Sequence, residues 1–151
     1  MTLSSIRARF RVADERHARG LVDTSVVIDL ELIDPNDLPV ELAISAVTLA
    51  ELAAGPHATP DPTERARRQD RLQRVEATFD PIPIDAETAR AYGRIYATIS
   101  AAGGKARRRR AFDLLIAATA LGAELPLYTC NVADFSDLGS VLEVVAVEPS
   151  P

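Results

Sequence analysis

The hydrophobic pattern breaks into short apolar runs of strand length, separated by longer segments whose apolar positions recur three and four residues apart. The first run opens at Gly20 and ends at Asp23, which predicts a very short strand, and Ser25 is placed to cap a helix over residues 26–33. Asp34-Pro35-Asn36-Asp37 breaks that helix. Residues 42–45 (LAIS) predict a second buried strand, and Thr48 starts a helix running to about Ala54. Gly55-Pro56 and Pro60-Asp61-Pro62 mark a loop before a helix over residues 63–79, whose apolar face carries Leu72, Val75 and Phe79. Residues 81–84 predict a third strand, and Asp85 caps a long helix that Gly103-Gly104 ends. A helix over residues 111–122 follows, then a strand at 125–129, a polar loop carrying Asn131 and Asp134, and a last strand at 143–147. Strands alternating with helices imply an α/β fold with a parallel sheet covered on both faces. There is no internal repeat and no second domain in the pattern.

Residues 112–120 (FDLLIAATA) organise the rest. This helix is apolar on every side, so it belongs inside a core, yet its first turn carries Asp113. Burying an unpaired carboxylate costs several kcal/mol, so Asp113 is either held by a partner or opens onto a cleft.

Composition narrows the chemistry. The 151 residues, 47% hydrophobic, are enough for one domain with a core. No apolar run approaches the ~18 residues of a membrane span, and no secretory signal is visible. The single Cys130 suits a reducing cytosol, so a cytoplasmic location is expected. Only His17 and His57 are present, which argues against a zinc site, a Cys-His nucleophile or a paired-histidine ribonuclease. The net charge is −5, but residues 1–19 hold five arginines against two acids. They read as a flexible basic extension, leaving 20–151 as an acidic domain with bases bunched at 65–74 and 105–110.

In parallel sheets, ligands bind beyond the carboxyl ends of the strands. Asp23, Glu51, Asp113 and Asp134 are all expected near that rim. Each also has a purely structural explanation. Asp113 in a first turn complements the helix dipole. Thr48-Leu-Ala-Glu51 reads as a capping box, with Val47 and Leu52 as a hydrophobic staple. Asp134 fits a turn, and Asp23 an Asx turn before Ser25. Together the four point elsewhere. Converging carboxylates without cations would destabilise one another, whereas Mg²⁺ or Mn²⁺ with oxygen ligands resolves the repulsion. Such a site activates water and clamps a phosphate without histidine.

LVDTS at 21–25, TLAEL at 48–52, FDLLIAATA at 112–120 and TCNVADF at 129–135 together resemble the PIN-domain ribonucleases, and more narrowly the toxin half of VapBC-type toxin–antitoxin modules. The resemblance implies a three-layer α/β/α sandwich with a central, mainly parallel sheet. It also implies a Mg²⁺-dependent endoribonuclease, with Mn²⁺ as an alternative ion, leaving a 5′-phosphate and a 3′-hydroxyl. Asp23, Glu51 and Asp113 would bind metal. Some relatives place the fourth acid where this chain has Asn131, others at the position of Asp134; Asp134 is preferred, with Ser25 and Asn131 as neutral supports. Arg107, Arg108, Arg109 and Arg110, directly before Asp113, would guide phosphates. The implied partners are RNA, an inhibitory antitoxin occupying the cleft and a second toxin copy, with no membrane. The rival reading is a non-catalytic PIN-like scaffold binding RNA or protein. A haloacid-dehalogenase phosphatase needs a second Asp where Ser25 stands, and no phosphate-binding glycine loop is present.

Overall fold

The computed structural model describes residues 16–103 and 111–151. Strand β1 (Arg19–Val22) leads into a short helix α1 (Thr24–Ile28), and two 3-10 turns follow. Strand β2 (Glu41–Ala43) leads into α2 (Ala46–Ala54), then α3 (Pro62–Thr78) and α4 (Ala86–Ala101). Helix α5 (Ala111–Gly122), β3 (Leu127–Thr129), a 3-10 run (Val132–Leu138) and β4 (Val144–Ala146) complete the order.

The four strands lie in the order β2-β1-β3-β4, all parallel. Side-chain alternation along each strand splits the core in two. Leu21, Ala43 and Leu127 point into one cluster, built with Ala91, Ile95 and Ile99 of α4 and with Leu114 and Ala118 of α5. Val22, Ile44 and Tyr128 point into the other, built with Val26 and Val27 of α1 and with Leu72 and Val75 of α3. The result is an α/β/α sandwich with a central parallel sheet, as the sequence implies. From β1 the chain crosses one way to β2, then returns past β1 to β3 on the other side. The switch point of the topology therefore lies between β1 and β3, the position beside which open parallel sheets bind their ligands.

Several boundaries differ from expectation for physical reasons. Ser25 does not cap α1; Asp23 does, accepting from the Val26 N–H. Helix α1 stops at Ile28 rather than Ile33, because the β-branched run Val26-Val27-Ile28 is a poor helix former and Asp29 closes the turn. Residues 81–84 form no strand. Pro81 and Pro83 have no N–H to give, so only Ile82 pairs, in an isolated parallel bridge to Ser45. Residues 16–19, assigned by sequence to the extension, are docked on the domain. Arg16 donates to the carbonyls of Leu38 and Pro35, His17 pairs with Glu143 at 2.9 Å, and Arg19 opens β1. Residues 1–15 lie outside the described residues. Gly20 is fixed by close approach: a Cβ there would stand 2.6 Å from Cε2 of Tyr128.

Candidate active site

Asp23 sits at the switch point, immediately after β1, and is only 5% exposed. Its backbone N–H donates to the Tyr128 carbonyl of the neighbouring strand, 3.0 Å away, which ties the turn to β3. Both carboxylate oxygens accept hydrogen bonds. The Ser25 hydroxyl and the Val26 N–H (3.3 Å) donate to Oδ1, and the Thr129 hydroxyl donates to Oδ2 at 2.6 Å. Each hydroxyl is itself oriented by the loop leaving β3. The Cys130 N–H donates to Ser25 Oγ (3.1 Å) and the Asn131 N–H to Thr129 Oγ1 (2.9 Å). A hydrogen bond to a charged group contributes about 1.5–3 kcal/mol, so three of them offset the cost of placing this carboxylate among apolar neighbours.

Glu51 lies close to the same turn. The Thr24 hydroxyl donates to Glu51 Oε1 at 2.8 Å and stands 3.1 Å from the hydroxyl of fully buried Thr48. The expected capping box is absent. Ser45, directly after β2, is the N-cap of α2, accepting from the Val47 N–H at 3.1 Å and pairing with Thr119 of α5. Glu51 thus lies mid-helix, beyond the first turn, where a capping role is impossible. The structural explanation that competed with a site role for Glu51 is gone, and so is the staple.

Asp113 is half-buried in the first turn of α5, as expected. Asp134 is exposed in the first turn of the 3-10 run after β3, three residues past Asn131. Asn131 is also exposed; its N–H serves the Asp23 network through Thr129, while its side chain caps nothing. Hydrogen bonds therefore bring Asp23, Ser25 and the Asn131 backbone into one network, and bring Glu51 to the residue next to Asp23. Arg107 to Arg110 lie outside the described residues.

Hard carboxylate and hydroxyl oxygens are the donor set that Mg²⁺ or Mn²⁺ takes, and a carboxylate with both oxygens oriented suits such an ion. Among the described residues, no three His, Cys, Asp or Glu side chains are gathered closely enough to hold an ion. The fit is thus one of donor chemistry. Cys130 adds no nucleophile: burial pushes its thiol up, the nearby charges of Asp23 and Asp29 push the same way, and the Ser25 hydrogen bond only partly opposes them.

The PIN domain family model matches residues 20–139. The chain belongs to the PIN domain family. Among curated relatives it is 36% identical over 130 residues to ribonuclease VapC5 of Mycobacterium tuberculosis, covering 84% of this chain and 93% of that protein. It is 39% identical over 102 residues to ribonuclease VapC8 of the same species, covering 67% and 89%. The crystal structure of VapBC-5 from M. tuberculosis, a member of the VapBC family of toxin-antitoxin systems, superposes with a TM-score of 0.76 at 34% identity, covering 86% of this chain and 99% of that one. VapBC2 from Rickettsia felis shares the fold, with a TM-score of 0.66 at 22% identity over 86% and 99% of the two chains.

The basic helix of this PIN domain has a structural role, as its interspersed acids suggest. Arg65 and Arg68 donate to the carbonyls of Pro56, Thr59 and Gly55, and Arg67, Arg68 and Arg74 pair with Glu64, Asp70 and Glu31. Sequence reasoning missed Thr24 and Thr129 as site residues. The available signal for Thr129 was a hydroxyl ending an otherwise apolar strand beside the switch point.

Proposed function

We propose that this chain is the toxin of a VapBC-type toxin–antitoxin pair, a cytoplasmic, Mg²⁺-dependent endoribonuclease. The observation that carries the reading is Asp23: a buried carboxylate at the β1/β3 switch point, oriented by two hydroxyls that backbone N–H groups hold in turn. Its kinship with proteins named ribonuclease VapC5 and VapC8 supports the substrate class. Among the described residues no helix is long and apolar enough to cross a membrane.

In this reading Asp23, Glu51, Asp113 and Asp134 are the acids that would hold the ion. When bound, Mg²⁺ supplies a water of lowered pKa and positive charge beside the scissile phosphate. Ser25 and Thr129 keep the Asp23 oxygens aimed, so that no rearrangement is needed when substrate arrives. Asn131 supports Thr129 through its backbone, and Arg107 to Arg110 attract the RNA backbone to the start of α5. The partners are RNA, a cognate antitoxin whose segment fills the cleft, and a second toxin copy. The structural likeness to VapBC-5 supports the antitoxin.

The second reading, a scaffold that binds without cutting, draws on the absence of any preformed three-acid cluster among the described residues. Incubation of the purified chain with RNA separates the two. Cleavage with Mg²⁺, lost in EDTA and lost in Asp113→Asn, supports the nuclease. Intact RNA under every condition, or cleavage indifferent to both changes, contradicts it.

A further inference from the structure

We propose that Thr24 is a positioning residue for Glu51, tethering that carboxylate through its hydroxyl to the turn that carries Asp23. The inference rests on the metal-site reading above and adds a residue to it. Thr24 is half-buried, at the first position of α1, directly after the capping carboxylate. Its backbone therefore moves with Asp23, while its side chain reaches across to α2. The single hydroxyl proton serves Glu51 Oε1, the closer and charged acceptor at 2.8 Å, in preference to Thr48 Oγ1 at 3.1 Å. Thr48 is wholly buried one turn before Glu51. Its contact fixes the rotamer of Thr24 from the same helix that carries the acid.

The consequence follows from the freedom of a glutamate. Glu51 is half-buried and has three rotatable side-chain bonds, so without a tether its carboxylate is free to swing toward water. Asp23 needs no such help, because Ser25, Val26 and Thr129 already hold it. Thr24 thus joins the turn after β1 to helix α2, so that one hydroxyl links the placement of two acids 28 positions apart in sequence. Supporting residues of this kind change metal affinity by about 10–100-fold when removed.

The test compares wild type, Thr24→Val, Thr24→Ser and Glu51→Gln. Mn²⁺ affinity is read by calorimetry on the RNA-free chain, and the melting temperature in EDTA is read alongside. The expected result is Mn²⁺ binding weakened about tenfold or more in Thr24→Val, restored to within about threefold in Thr24→Ser, with Glu51→Gln weakened at least as much as Thr24→Val. Thr24→Ala serves the same arm if the valine variant does not fold. Wild-type affinity in the hydroxyl-free variant beside a weakened Glu51→Gln overturns the role of Thr24 alone. Wild-type affinity in Glu51→Gln overturns the metal-site reading and this inference with it. Equal loss in Thr24→Val and Thr24→Ser overturns the hydroxyl as the agent.

Discussion

Replacing Thr129 by Val isolates the clamp on Asp23. The two side chains are nearly equal in size, so the change deletes a hydroxyl from a fully buried position with little change in packing. Two bonds go with it: the donation to Asp23 Oδ2 at 2.6 Å and the acceptance from the Asn131 N–H at 2.9 Å. Asn131 is exposed, so its N–H turns to water at small cost. Asp23 is 5% exposed and has no such recourse for Oδ2. The loss is that of a hydrogen bond to a buried charge, about 2–3 kcal/mol. For a domain of this size 1 kcal/mol corresponds to roughly 2–4 °C, so the melting temperature in EDTA should fall by about 4–12 °C. A double-mutant cycle with Asp23→Asn assigns the loss. With the charge removed, Thr129→Val should cost at least about 1 kcal/mol less than in wild type. A shift under about 1 °C, or strictly additive effects, would refute the reasoning.

Two further outcomes follow from the fold. Gly20→Ala drives a Cβ to 2.6 Å from the ring of buried Tyr128 and should cost about 1–3 kcal/mol in urea unfolding; an unchanged midpoint contradicts the packing described. At alkaline pH the chain should weaken. Burial raises both the Cys130 thiol and the Tyr128 phenol above their ordinary values of 9.0 and 10.0, with Glu143 adding to the second. Each group binds its proton more tightly folded than unfolded. Its contribution is therefore whole below its ordinary value and is lost as pH rises through the raised one. Melting curves from pH 7 to 11 should show stability falling above about pH 9, and Cys130→Ala should flatten the first part of that fall.

The layer order was legible because it depends on period and punctuation. Apolar runs of four or five residues, separated by segments of helical spacing, leave few options besides a parallel sheet with helices on both faces. Asp85 was legible as a cap for the same local reason: it accepts from the Thr88 N–H at 3.0 Å. Where two local signals competed, the sequence could not rank them. Ser45 and Thr48 are both cap residues three positions apart; the choice falls to Ser45 because β2 ends just before it and Thr119 of α5 meets its hydroxyl. Asp23 and Ser25 competed in the same way, and the Asp wins the cap because Ser25 is turned to bond with it. Residues 81–84 had strand hydrophobicity but too few N–H groups to build a ladder. Asp23 and Glu51 were legible as isolated charges in apolar surroundings. The hydroxyls that hold them were not, since Thr129 meets Asp23 across 106 positions and Thr24 meets Glu51 across 27.

The central claim, that acids from separate parts of the chain share one divalent ion, is tested most directly by soaking crystals in Mn²⁺ and mapping its anomalous scattering. The account predicts a peak within coordination distance of the Asp23 carboxylate, shared with Glu51 or Asp113, that vanishes in Asp23→Asn crystals. Manganese bound only elsewhere, or a peak that persists without the Asp23 charge, would contradict it.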